Sequence, residues 1–133
     1  MKTILHVEDD PLIAHIYGMA LKRAGFQVEV AEDGVLAAKM LFKLRPDLVV
    51  MDLMIPKLTG KDVIKYIRSA PSLQTLPVVI LSSASIADLG VEATALGVEN
   101  VLYKSQCTPA ILVSVVNSLL RDTPDPSAQL LSA

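Results

Sequence analysis

Carboxylates stand at the ends of two apolar runs of the sequence, where an unpaired charge is costly. Asp52 ends DLVVMD, and Glu8, Asp9 and Asp10 directly follow TILHV. Two like charges 4 Å apart repel by about 4 kcal/mol at an effective dielectric near 20, so a carboxylate cluster needs a shared positive charge. Ligand sets made only of oxygen suit Mg²⁺ better than Zn²⁺, which prefers His or Cys. These acids therefore predict a magnesium site if the fold brings the two runs together.

Two further apolar runs end in side chains that bind phosphoryl groups. Ser82 and Ser83 follow PVVIL, and Lys104 follows VLY. A hydroxyl and an ammonium beside a metal-bound carboxylate can hold phosphoryl oxygens and balance their charge. Ser82 is preferred by its register, and Ser83 is the alternative.

The elements that must position these residues alternate along the chain. Strands are predicted at 3–7, 27–31, 47–51, 77–81 and 99–103, and helices at 11–24, 34–45, 60–69, 85–97 and 108–121. This alternation predicts an α/β fold: a doubly wound (βα)5 sandwich whose parallel sheet is covered by helices on both faces. A strand order of 2-1-3-4-5 would place the acidic ends of the first and third strands side by side.

Several helices carry their own sequence signals. Thr108 is a predicted N-cap and Pro109 a predicted first helical residue. The segment 85–97 is the weakest helix, because Gly90 costs about 1 kcal/mol relative to alanine. In the first helix a helical repeat is formed by Leu12, Ile16, Met19, Ala20 and Arg23. In the fifth helix, AILVSVVNSLL, the candidates for an exposed interface patch are Val115, Val116 and Leu119.

The composition predicts one domain and excludes some classes of protein. The chain has 133 residues, 52% of them hydrophobic, and a net charge of −2, which lacks the basic excess expected of a nucleic-acid-binding domain. No apolar run reaches the roughly 18–20 residues of a membrane span, and no signal peptide is recognisable. The single cysteine, Cys107, favours a reduced, cytoplasmic setting. We predict a folded domain at 1–121 and a tail or linker stub at 122–133.

Four motifs in register give the chain a family resemblance. VEDDP, VVMDLMIPKLTG, PVVILSSA and VLYKS occur in this order within residues 3–121, and with them the chain resembles the CheY-like receiver domain of two-component response regulators. The resemblance implies a flavodoxin-like fold and a signalling phosphoacceptor rather than an enzyme with a separate substrate. Such a domain assists its own phosphorylation and dephosphorylation.

Specific roles follow from the resemblance. Asp52 would accept a phosphoryl group from a sensor histidine kinase or a histidine phosphotransfer protein, with Ser82 bonding the phosphoryl oxygens and Lys104 neutralising them. Phosphorylation would move Ser82 inward and alter the surface of the fourth helix, fifth strand and fifth helix. A homodimer through that surface is a candidate assembly.

The resemblance also implies a magnesium ligand set. Asp9 and Asp52 would bind the ion directly, Glu8 would bind it through water, and the backbone carbonyl of Met54 would complete the protein ligands. Asp10, next to Pro11, is expected only to cap the first helix, since acids favour helix N-termini.

The sequence departs from the family pattern around the lysine. Val101 stands where the family usually has an aromatic residue, and Ser105 stands where it usually has a proline in a cis peptide. The loop KSQCTP is also one residue longer than usual. A cis bond without proline costs about 2.5–4 kcal/mol, so the loop either is held by its surroundings or takes another shape. Apolar Met54 and Ala84 predict a phosphorylated form that is not unusually short-lived.

Two other functions remain open at this point. A pseudo-receiver, which keeps the fold and binds partners without phosphate, is favoured by Val101 and Ser105 but opposed by the intact acids. An aspartyl-phosphate hydrolase would need a second acid two residues after Asp52, and Met54 occupies that place.

His6 is interpreted as a core histidine bonded to a backbone carbonyl, and Cys107 as a small loop residue.

Overall fold

The structure is a computed structural model that describes residues 1–83 and 97–121. The strands are β1 (Thr3–Val7), β2 (Gln27–Ala31), β3 (Leu48–Met51), β4 (Val78–Ser82) and β5 (Asn100–Tyr103). The helices are α1 (Pro11–Arg23), α2 (Gly34–Leu44), α3 (Gly60–Ser69) and a final helix (Pro109–Arg121), with a 3-10 turn at Lys104–Gln106. Every described strand and α-helix begins and ends within one residue of its predicted position, and the 3-10 turn was not predicted. The predicted fourth helix, which contains Gly90, lies outside the described residues except for Gly97, its last residue. Ala84 and the tail at 122–133 also lie outside them.

The five strands form one parallel sheet in the order β2-β1-β3-β4-β5. This confirms the predicted doubly wound α/β fold and its strand order. β1 pairs with β2 on one side and with β3 on the other. The strand order therefore reverses at β1, since β2 is added on one side and all later strands on the other. In open α/β sheets this reversal opens a crevice at the carboxyl ends of the strands, between β1 and β3.

Apolar side chains cover both faces of the sheet, as strands without polar alternation require. Leu5, Val7 and Ile80 lie in a cluster with residues of α2 and α3 on one face. Ile4, Val50 and Leu81 lie in a second cluster with α1 and the final helix on the other face. No helix in the described part of the chain is both long and apolar enough to cross a membrane.

Helix caps agree with the sequence signals. Asp10 accepts hydrogen bonds from the backbone N–H groups of Leu12 and Ile13, which confirms its capping role. Thr108 Oγ1 accepts one from the N–H of Ile111 at 3.2 Å and so caps the final helix. Each cap satisfies N–H groups that have no partner within the helix.

The burial of α1 differs from its apolar repeat. Leu12 is 65% exposed, and Ile16 and Met19 also lie in solvent, whereas the face containing Tyr17 and Leu21 packs on the sheet. The repeat identified the helix, but its residues do not form the buried face. In the final helix, Val116 is fully buried, while Val115 and Leu119 pack partly against the core. Val116 is therefore excluded from the predicted exposed patch.

Gly60, the first residue of α3, is in close contact with the segment that follows β3. A Cβ built on Gly60 would lie 2.5 Å from the backbone oxygen of Asp52 and 2.6 Å from Leu53 Cα. We expect Gly60→Ala to lower the free energy of unfolding by about 2–3 kcal/mol, because backbone atoms must move to admit the methyl group. Urea denaturation measures this loss.

Gly18→Ala is the matched control, since a Cβ there meets nothing closer than Val28 Cγ1 at 3.9 Å. It should raise stability by up to about 1 kcal/mol through helix propensity. Equal stabilities for Gly60→Ala and the parent protein would show that the close approach is not a constraint.

Candidate functional site

The acidic residues and the lysine meet at the carboxyl edge of the sheet. Two backbone hydrogen bonds continue the strand pairing by one residue: the Asp52 N–H donates to the Val7 carbonyl at 3.0 Å, and the Glu8 N–H donates to the Ala31 carbonyl at 2.9 Å. Asp52 is therefore held beside the first strand's acidic end. β4 and β5, the next strands along the sheet, end at Ser82 and just before Lys104.

Asp52 is 4% exposed, and both of its carboxylate oxygens have partners. Oδ2 lies 2.7 Å from Lys104 Nζ. Oδ1 accepts a hydrogen bond from the Met54 N–H at 3.0 Å and a longer one from Ser82 Oγ at 3.4 Å. These contacts explain how a carboxylate can follow an apolar strand without reaching open water.

Lys104 bridges two carboxylates. Its ammonium also lies 2.6 Å from Glu8 Oε1, and the Glu8 side chain is fully buried. Burial lowers the pKa of Lys104, but its hydrogen bonds with Asp52 and Glu8 raise it more, so that its pKa lies above the usual value. Burial raises the pKa of Glu8, and the hydrogen bond with Lys104 opposes that rise in part. The contact between Lys104 and Glu8 was not predicted from the sequence.

Glu8, Asp9 and Asp52 could hold a metal ion. One carboxylate oxygen from each lies within 4.8 Å of the others; Glu8 and Asp52 are buried, and Asp9 is exposed. Three carboxylates beside one ammonium leave an excess of negative charge, and an all-oxygen set suits a hard divalent cation. The donor set therefore fits Mg²⁺. The Met54 side chain lies in solvent, and the backbone N–H of Met54 donates a hydrogen bond to Asp52 Oδ1.

The two serines after β4 have different environments. Ser82 is fully buried and lies beside Asp52, whereas Ser83 is exposed. Ser82 is therefore the hydroxyl within reach of the carboxylate, as its register predicts.

The loop after β5 departs from the family pattern without displacing Lys104. No described peptide bond is cis, so the bond between Lys104 and Ser105 is trans. Residues 104–106 form a 3-10 turn instead. Val101 is partly buried and packs against the core cluster under α2 and α3.

Two residues near this loop were missed by the sequence analysis. Cys107 lies in the loop before the final helix, as predicted, but it is buried in the core, which the sequence did not indicate. Its backbone carbonyl accepts a hydrogen bond from the Tyr17 hydroxyl. The only sequence signal was the position of Tyr17 on the helix face that also carries Ala14 and Leu21.

His6 lies in the core near the site, and its Nδ1 atom has no hydrogen-bond partner within the described part of the chain. The predicted bond to a backbone carbonyl is therefore not made by this nitrogen. Burial first, and then the charge of Lys104, lower the pKa of His6 to about 4 from an ordinary value of 6.5. The ring meets Tyr17 edge-on, with 6.4 Å between the ring centroids.

A stability loss in mild acid follows from this histidine. Because the unfolded chain binds the proton at a higher pH, His6 contributes stability above pH 6.5 that is lost as the pH falls towards 4. The loss amounts to roughly 3 kcal/mol. We expect His6→Leu to flatten the pH dependence of the unfolding free energy in this range, as measured by urea denaturation. His15→Gln is the control, because it removes an exposed histidine of α1. If the unfolding free energies of His6→Leu and the parent protein change with pH in the same way, His6 is not the source of the stability loss.

Comparisons with known proteins agree with this arrangement. Residues 4–117 match the family described as "Response regulator receiver domain". The DNA-binding response regulator MtrA of Mycolicibacterium smegmatis is 33% identical over 129 residues, which are 97% of this chain and 55% of that protein. The chain spans about half the length of the curated relatives it matches.

Two solved structures are similar over most of the chain. The signal receiver domain of a signal transduction histidine kinase from Syntrophus aciditrophicus superposes with a TM-score of 0.85, at 30% identity and over 93% of each chain. The Mn²⁺-bound form of response regulator Rcp1 superposes with a TM-score of 0.78, at 28% identity, over 89% of this chain and 93% of that one.

Proposed function

Because this chain belongs to the response regulator receiver domain family and acts in two-component signalling, we propose that Asp52 is its phosphoryl acceptor. One observation carries the proposal. The buried carboxylate of Asp52 has an ammonium on one oxygen and a hydroxyl on the other, beside an acidic cluster fit for a divalent cation. This is the charge pattern that a transferring phosphoryl group requires.

The proposed reaction is an in-line displacement at phosphorus. A carboxylate oxygen of Asp52 forms the new P–O bond while the bond from phosphorus to the donor breaks, and the leaving group takes the electron pair of that bond. Lys104 balances charge on the equatorial oxygens, and Ser82 donates a hydrogen bond to one of them. The domain supplies positioning and electrostatics and so assists its own phosphorylation and dephosphorylation, while the donor supplies the energy-rich bond.

Mg²⁺ is the proposed cofactor. Asp9 and Asp52 would bind it directly, Glu8 through water, and the Met54 backbone carbonyl would complete the protein ligands. When bound, the ion withdraws charge from the phosphoryl oxygens. Two findings support this proposal. Carboxylate oxygens of Glu8, Asp9 and Asp52 lie within 4.8 Å of one another, and the similar response regulator Rcp1 has a crystal structure in an Mn²⁺-bound form.

The proposed donor is a phosphohistidine on a sensor kinase or a histidine phosphotransfer protein. We also propose downstream partners, a cytoplasmic location and a homodimer through the surface of the predicted fourth helix, β5 and the final helix. β5 is an edge strand whose last three residues are only partly buried. On the final helix, Ile111 is 43% exposed and takes the place of Val116 in the candidate surface.

Phosphorylation by a small donor tests the proposed function. The protein is incubated with acetyl phosphate, with Mg²⁺ or with a chelator, and its intact mass is followed over time. We expect one added phosphoryl group that depends on the metal and maps to the peptide containing Asp52, and that persists well beyond seconds. No adduct in Mg²⁺ would overturn the proposal in favour of a pseudo-receiver, and rapid turnover of generic phosphate esters would favour a hydrolase.

A further inference from the structure

Lys104 needs an anchor that its own loop does not provide. Ser105 and Gln106 are exposed, and within residues 1–83 and 97–121 no side chain caps the 3-10 turn that begins at Lys104. The peptide after the lysine is trans, and no proline restricts it. When the backbone of such a turn moves, the ammonium at the end of the lysine side chain is displaced. A displacement of a catalytic group by about 1 Å can lower the reaction rate by about 100-fold.

The first buried point after the turn is Cys107. Its side chain is 5% exposed and lies in the core cluster under α1 and the final helix. Its carbonyl accepts the hydroxyl hydrogen of Tyr17, which is itself buried on the inner face of α1. This hydrogen bond joins residues 90 positions apart in the sequence, and so ties the end of the lysine loop to a helix.

The same helix is also tied to the acidic cluster. Asp10 caps α1, and its backbone N–H donates to Glu8 Oε2 at 3.2 Å. α1 therefore contacts the acidic residues at its start and the lysine loop at its middle. The helix thus connects the lysine loop with one of the two carboxylates that Lys104 bridges.

We infer that Tyr17 is the positioning residue for Lys104, and that its hydrogen bond to the Cys107 carbonyl fixes the loop that carries the lysine. Tyr17 acts through the loop, because its hydroxyl donates to the backbone carbonyl of Cys107. This inference rests on the proposed function for its effect on phosphorylation, but its effect on Lys104 is measurable without any phosphoryl donor.

The first test is the rate of phosphorylation by acetyl phosphate in saturating Mg²⁺. We expect Tyr17→Phe, which removes only the hydroxyl, to slow labelling of Asp52 by roughly 10-fold. Tyr66→Phe is the matched control, since this tyrosine of α3 contacts Phe42 on the opposite side of the sheet and should keep the parent rate.

A double variant separates positioning from a merely structural effect. The Lys104→Met variant has no ammonium for Tyr17 to position. Adding Tyr17→Phe to it should therefore not slow the labelling of Asp52 any further. An equal fractional loss in both backgrounds would overturn the inference, as would a parent rate in Tyr17→Phe alone.

Lysine NMR tests the inference independently of phosphorylation. The ε-methylene resonance of Lys104, assigned by its disappearance in Lys104→Arg, should move towards the position of solvent-exposed lysines in Tyr17→Phe and stay in place in Tyr66→Phe. An unmoved resonance in Tyr17→Phe would overturn the inference. A parent protein that takes no label would refute the proposed function, while the NMR comparison would still decide the role of Tyr17.

Discussion

Asp52→Asn is expected to take no phosphoryl group from acetyl phosphate in Mg²⁺, with labelling at least roughly 1000-fold slower than in the parent protein. An amide is not a usable nucleophile towards phosphorus, and the change also removes one of the three carboxylates that could hold a metal ion. Intact-mass spectrometry over a time course measures the rate.

The fold should survive this change. Asparagine retains an oxygen that can accept the hydrogen bonds that Asp52 Oδ1 now receives from Met54 and Ser82. The amide nitrogen that replaces Oδ2 cannot accept from Lys104, but Lys104 keeps Glu8 as its counter-ion, and the cluster has one negative charge fewer. We therefore expect the free energy of unfolding to change by no more than about 1 kcal/mol, the scale of one hydrogen bond.

Asp10→Asn is the matched control for the change from carboxylate to amide. The Asp10 side chain caps α1, and asparagine is an equally good N-cap residue that keeps the backbone N–H bonded to Glu8. This variant should label at the parent rate. Labelling of Asp52→Asn on another acidic residue at the parent rate would remove Asp52 from its proposed role.

Lys104→Met is expected to destabilise the metal-free protein by about 2–4 kcal/mol at neutral pH. Glu8 and Asp52 are both buried, and each loses its ammonium partner at 2.6 and 2.7 Å. Methionine fills a similar volume without charge, so the loss reports on the two uncompensated carboxylates. Urea denaturation in a chelating buffer measures it.

Mg²⁺ should reverse most of this loss, because an ion that binds only the folded state stabilises it by mass action. The loss should also shrink as the pH falls. Lys104 opposes the rise of the Glu8 pKa, so without it Glu8 is neutralised at a higher pH and the folded state takes up a proton that relieves the repulsion.

Two comparisons make the test specific. Lys57→Met breaks the ion pair with Asp33, but the Lys57 side chain is 64% exposed, and this variant should remain close to the parent in stability. Adding Glu8→Gln to Lys104→Met should recover part of the loss, since one of the crowded charges is gone. A Lys104→Met protein as stable as the parent in chelator would show that the lysine does not compensate the buried acids.

The fold followed from local features of the sequence. Apolar runs of strand length alternate with helical repeats, and caps such as Asp10 and Thr108 mark where helices begin, so the element bounds depend on nearby residues alone. Once the strands are parallel and the order is 2-1-3-4-5, the ends that carry Asp52 and the acids after β1 must be neighbours. The candidate site could be predicted because strand ends are fixed points of this topology.

Other features depended on contacts between distant segments. The buried face of α1 was decided by the sheet and the final helix, and not by the repeat of Leu12, Ile16 and Met19. Nothing in KSQCTP itself shows that Cys107 is buried and is held by Tyr17, because the hydrogen bond spans 90 positions.

The sequence by itself determined which chemical groups this domain has and at which edge of the sheet they stand, because strand and helix signals are short-range. The tertiary structure alone decided that Lys104 bridges Glu8 and Asp52, and that its loop reaches them with a trans peptide. Burial makes the difference. A buried ammonium must pair with carboxylates that lie close to it. Which carboxylates are close to Lys104 depends on how the whole chain packs.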